Sequence, residues 1–115
     1  MNKINISIKS IKINNLARFV GVQNDQDWYE WMVFIDEGEE LLQQIESVEY
    51  LLHRTFPNPL RRATDSGNHF ALKSGGWGEF NIFITVFLTN GERYETTYRL
   101  DLGKPWDTSP FNGSQ

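Results

Sequence analysis

Polar and apolar residues alternate with a period of two along most of this chain, the pattern of half-buried strands. Ile4, Ile6 and Ile8 alternate with polar neighbours, and Ile11 and Ile13 continue on the shifted phase, as a bulge or bend produces. Trp31 to Ile35 (WMVFI) is a continuous apolar run. It predicts a central strand covered on both faces, with Trp31 in the core. Val48, Tyr50 and Leu52 alternate again and lead straight into His53. Phe80, Ile82, Ile84, Val86 and Leu88 share one strand face, with Phe83 and Phe87 on the other. Asn90-Gly91 predicts a hairpin into a Thr- and Tyr-rich strand from Arg93 to Leu102. Only Gly38 to Ile45 has helical spacing, enough for a turn or two. Many short strands separated by turn residues imply an all-β fold, an antiparallel β-sandwich.

Composition narrows this little but excludes several classes. A chain of 115 residues makes one domain with a core of its own. It has no cysteine, which excludes disulfide staples and thiolate metal sites and fits a reducing compartment. The N-terminus alternates and offers no continuous apolar run, so neither a signal peptide nor a membrane span is expected and the default placement is cytoplasmic. The net charge of −4 argues against nucleic acid as a partner and favours basic peptides. One basic cluster, Arg54, Arg61 and Arg62, to which Lys73 can add, reads as solvated loop charges. After Leu102 the chain turns polar. The expected organisation is a monomeric sandwich over residues 1–103 and a polar tail or linker over 104–115 that leads into a larger protein.

Two segments carry the candidate chemistry: LHRTFPNPLRR, Leu52 to Arg62, and GGWGEF, Gly75 to Phe80. Phe56 precedes Pro57-Asn58-Pro59, which cannot continue a central strand, so its ring belongs to a loop. Trp77 lies between Gly75, Gly76 and Gly78, where a strand would support its ring poorly. Both rings as core residues is the ordinary alternative. Held instead on loops at one end of a sandwich, two rings make a flat slot that excludes water, and bare glycines let a backbone approach what enters. His53 and Thr55 sit beside Phe56. They serve either to anchor a turn or to pair the polar groups of a ligand.

The pattern V-x-Y-x-L-H-x-[ST]-F-x-N-P over Val48 to Pro59, followed by GWGEF and an alternating strand, resembles the YEATS domain, and most nearly its prokaryotic branch. The resemblance spans about Ile4 to Leu102. It implies an immunoglobulin-like sandwich and the reading of acylated lysine, which eukaryotic members perform on histone tails. It also implies that Phe56 and Trp77 wall the slot, that Thr55, oriented by His53, accepts the amide N–H, and that the Trp77 backbone N–H meets the acyl carbonyl. A further aromatic should come from the loop before the WMVFI strand, here Gln23 to Glu30, where Trp28 or Tyr29 can serve. Asp101 matches an acidic position that helps hold the peptide in some members.

Such a slot should reject a free ammonium, since neither motif is expected to place a carboxylate inside it. The ligand-binding set is therefore His53, Thr55, Phe56, Gly75, Gly76, Trp77, Gly78 and Trp28. Catalytic residues, metal and cofactor are expected to be absent. His53 and His69 are far apart with no metal-ligand spacing, and the glycines lack the lysine and helix of a phosphate loop. Two further classes stay open: an interaction module of a prokaryotic signalling protein that binds no acyl-lysine, and an enzyme acting on acylated amides.

Overall fold

The computed structural model describes residues 10–106. The chain runs β1 (Ile13–Gln23), β2 (Gln26–Ile35), α1 (Glu39–Leu42), β3 (Ile45–Leu51), β4 (Leu60–Ala63), β5 (Leu72–Gly76), β6 (Asn81–Leu88) and β7 (Arg93–Arg99). One sheet has the order β1-β2-β5 and the other β4-β3-β6-β7, and all pairings are antiparallel. This is the antiparallel sandwich that the alternation predicts. The Ile4–Ile8 segment lies outside the described residues.

The apolar run of β2 is covered on both faces because it is the middle strand of its sheet. Trp31, Val33 and Ile35 join the core between the sheets, while Met32 and Phe34 are buried outside that cluster. Trp31 is 0% exposed. From the facing sheet come Val48 and Tyr50 of β3 and Ile82, Ile84, Val86 and Leu88 of β6. The Tyr50 hydroxyl donates to the Phe70 carbonyl at 2.6 Å, and burial pushes its pKa far above the usual phenol range. That bond holds the crossing from β4 to β5, where His69 and Phe70 both take left-handed backbone angles (φ 61° and 55°). Asp65, Ser66 and Gly67 form a tight turn, with the Asp65 carboxylate accepting from the Gly67 N–H at 2.9 Å.

Three features go beyond the sequence reading. The segment Gln23 to Glu30 is not a loop. Asn24 and Asp25 both have positive φ (52° and 64°) and close a two-residue turn, so Gln26 pairs at once with Gln23 and β2 carries Trp28 and Tyr29 as strand residues. This handedness matches the twist of a hairpin, which is why two residues suffice. A bulge lies within β1, between Phe19 and Gly21, while the phase change read between Ile8 and Ile11 begins outside the described residues.

The third feature is Asn15, a buried polar residue near the start of β1. Its Nδ2 donates to the Asp101 carbonyl at 2.9 Å, and its Oδ1 accepts from the Tyr98 hydroxyl at 2.6 Å and the Asp101 N–H at 3.1 Å. One side chain thereby ties the first sheet to the end of β7 in the second, with its polar atoms satisfied as burial demands. Nearby, Lys104, Pro105 and Trp106 do not run free. The Ala17 N–H donates to the Lys104 carbonyl at 2.8 Å, Pro105 bridges Ala17, and Arg18 stacks over the Trp106 ring at 4.5 Å. The segment covers part of the β1 edge, which would otherwise present open backbone groups.

Candidate functional site

At one end of the sandwich the β3–β4 loop, the link from β5 to β6 and the neck of the β1–β2 hairpin converge around a groove of about 570 Å³. That is the size of small-ligand clefts. His53, Thr55 and Phe56 line it from the first segment, Gly75, Gly76, Trp77 and Gly78 from the second, and Trp28 from the hairpin. The structure thus brings all eight residues of the sequence-derived set to one place.

The two aromatic walls are unlike each other. Trp77 occupies a bend just past β5 and is 56% exposed. Phe56 lies on the loop between β3 and β4, as read, but is only partly exposed. One side leans on the core, with ring centroids 5.2 Å from Phe80 and 6.2 Å from Trp31. Phe80, also a groove residue, extends this stack toward His53 at 6.3 Å and Trp31 at 5.9 Å. The floor of the groove is therefore continuous with the core. Trp28 reaches the groove from strand β2, and its indole N–H donates to the Gln23 carbonyl across the hairpin at 3.3 Å.

The glycines divide their duties. A Cβ on Gly75 would lie 2.9 Å from the Tyr29 carbonyl, so that glycine allows β5 to approach β2 and serves the sheet. At Gly76 a Cβ would sit 3.8 Å from Phe56 Cζ, an ordinary contact, and at Gly78 it would meet nothing.

The His53–Thr55 pair has a defined polarity. The Thr55 backbone N–H donates to His53 Nδ1 at 3.3 Å, and only a bare nitrogen can accept it. Nδ1 is then the acceptor also in its 2.9 Å bond with Thr55 Oγ1, so the hydroxyl proton is committed to histidine. The lone pairs of Thr55 Oγ1 remain available to a donor. Trp77 also lines the groove, and its backbone N–H has no acceptor among the described residues. The groove lining thus holds an unspent acceptor, an unspent donor and aromatic rings, the kinds of group that a secondary amide can pair with and lie against.

Charge in the groove was not legible in the motifs. Arg61 lines it, with Nε donating to the Asn58 carbonyl at 2.6 Å and Nη2 to the Pro57 carbonyl at 2.9 Å. Glu79 also lines it, against the expectation of a slot without a carboxylate, although its Oε2 accepts from the Leu102 N–H at 2.8 Å. The expected basic cluster is dispersed. Successive residues of β4 point to opposite faces, so Arg62 turns away to pair with Glu49 at 3.1 Å, while Lys73 lies 5.8 Å from the Trp106 ring. Asp101 is occupied by Asn15 and by the Gly103 N–H and does not line the groove. No group of histidine and acidic residues among the described residues is arranged to hold a metal.

A two-sheet antiparallel sandwich with an aromatic groove formed by loops at one end defines a class of ligand-binding β-domain. The chain belongs to the prokaryotic YEATS domain family, whose model matches residues 29–101. It is 30% identical over 79 residues to the AF-9 homolog of Gibberella zeae, a match covering 64% of this chain and 30% of that protein. The chain thus spans less than a third of the length of that curated relative. Among solved structures, the Yaf9 YEATS domain bound to H3K27ac is 26% identical with a TM-score of 0.64, covering 87% of this chain and 80% of the other. The Yaf9 YEATS domain recognising an H3K122suc peptide is 26% identical with a TM-score of 0.65, covering 88% and 80%. The fold is the immunoglobulin-like β-sandwich of these structures.

Proposed function

We propose that this protein is a non-enzymatic binding module that recognises acylated lysine, of the acetyl or crotonyl type, in the groove between Phe56 and Trp77. The observation that carries the proposal is the unspent amide-pairing couple, Thr55 Oγ1 and the Trp77 N–H, placed beside aromatic faces. A buried amide that lost either partner would forfeit roughly 1–3 kcal/mol per orphaned group, so the pairing makes a ligand amide tolerable there. The ring faces contribute the hydrophobic part, and a flat unsaturated acyl chain stacks on them best. Family membership and the acylated peptides bound by Yaf9 point the same way. Trp28 supplies a further aromatic border, and Gly76 and Gly78 keep the Trp77 bend open to a peptide backbone.

Unmodified lysine is disfavoured because its ammonium would lose hydration in a groove whose cation, Arg61, repels it, while Glu79 is partly engaged elsewhere. Affinity should be micromolar or weaker, since one side chain buries little area. The partner is a protein or peptide bearing the acylated lysine, bound without nucleic acid and without turnover, by a monomeric cytoplasmic domain. Calorimetry with peptides carrying acetyl-lysine, crotonyl-lysine or free lysine tests the reading. Binding of the acylated forms alone supports it. Equal binding of all three would favour the interaction module without an acyl slot. Product analysis after long incubation tests the absence of catalysis, and cell fractionation tests the placement.

A further inference from the structure

We infer that Arg61 makes this groove selective for acyl chains that end in a carboxylate, of the succinyl or glutaryl kind, over neutral chains of equal length. This rests on the acyl-lysine reading above and deepens it. Arg61 is the cationic side chain among the groove residues, and it forms no ion pair among the described residues. Arg18 and Arg62, by contrast, each hold a glutamate.

The geometry also fixes where the charge sits. Two of the guanidinium N–H groups are spent on the Pro57 and Asn58 carbonyls, immediately after the ring wall at Phe56, and the others are unspent. Asn58 takes a left-handed backbone angle (φ 47°), which turns its carbonyl and that of Pro57 into the fork that holds Nε and Nη2. A guanidinium pinned in this way has lost much of its rotamer freedom before any ligand arrives, so a carboxylate meets a preorganised donor. Glu79 opposes an anion, but its Oε2 is drawn toward Leu102, and it does not pair with Arg61. The peptide bound by the Yaf9 relative carries succinyl-lysine, and the residue that discriminates charge in this chain is the one on β4.

The test uses a Gly-Ser peptide with blocked ends and a single modified lysine, so that no other charge is present. Succinyl-lysine and butyryl-lysine have the same carbon count and differ by the terminal carboxylate. The unaltered protein should bind succinyl-lysine about threefold to tenfold more tightly, the size expected of a half-exposed charge-assisted contact, and the preference should shrink in high salt. Arg61→Gln should erase the preference while butyryl-lysine still binds. Arg61→Lys, which keeps the charge and loses the fork, should retain part of it. A purely structural Arg61 would change both affinities alike and leave their ratio intact, which overturns the inference. Equal binding of both peptides by the unaltered protein overturns it too, yet leaves the acyl-lysine reading standing. Binding of neither peptide, nor of acetyl-lysine, overturns both.

Discussion

Trp77→Ala separates the slot from the core more cleanly than any other change. Trp77 is 56% exposed, so of a ring surface of about 250 Å² roughly 140 Å² faces solvent. A ligand covering about half of that surface removes roughly 70 Å² from water, worth about 1.8 kcal/mol at ~25 cal/mol per Å². Stacking adds about 0.5–1.5 kcal/mol. The variant should therefore bind acyl-lysine peptides roughly 50- to 250-fold more weakly, beyond detection for a micromolar binder. Its stability should fall by no more than ~1 kcal/mol, because the ring makes no aromatic contact among the described residues. Calorimetry and urea denaturation read the two effects. A folded variant with full affinity would remove Trp77 from the site, and an unfolded one would make it a core residue. Phe56→Ala gives the contrast. It should lose binding as well, but at a further cost of about 2 kcal/mol in stability, since half of that ring packs on Trp31 and Phe80.

Trp31→Ala should cost roughly 3–5 kcal/mol in urea denaturation, as a large-to-small change at a fully buried position does. An unchanged midpoint would contradict its place between the sheets. Asn15→Leu keeps the volume but strands the Tyr98 hydroxyl and both Asp101 backbone groups, for a loss of about 3–5 kcal/mol. Thr55→Val should weaken acyl-lysine binding by about tenfold or more with a modest change in stability, whereas Thr55→Ser should bind normally; equal losses in both would assign Thr55 a steric role instead. The Tyr98 hydroxyl is pushed up from 10.0 to about 12, first by burial and then by the charge of Asp101, against the opposing bond from Asn15. The folded state thus favours the protonated phenol. Its contribution is full below about pH 10 and is lost as pH rises toward 12, so the urea midpoint should drop across that window and drop less in Tyr98→Phe.

What the sequence determined by itself was local. Period-two alternation reports which residues face a core whatever that core contains, so β3, β6, β7 and the doubly covered β2 were legible from Val48, Ile82, Tyr94 and Trp31 outward. Proline fixes its own backbone and glycine frees its own, so Phe56 and Trp77 could be placed on bends, and the motif around them pointed to the family. Strand β1 was not legible beyond Ile13, because the bulge at Val20 breaks its alternation, and Asn24-Asp25 lacks the glycine that usually marks a two-residue turn. The same uncertainty left Trp28 on a loop.

Tertiary structure decided the rest, because a groove is a relation between segments distant in sequence. Phe56 became half core when Trp31 and Phe80 arrived beside it. Gly75 proved to serve the sheet because the Tyr29 carbonyl approaches it from another strand. Arg61 and Arg62 are neighbours of identical chemistry, yet the pleat of β4 sends one into the groove and the other onto Glu49. Asn15 gives no sign in sequence that it will be buried, since its hydrogen-bond partners lie more than eighty residues away. Alternation specifies a face. Only the packed sandwich specifies what that face meets.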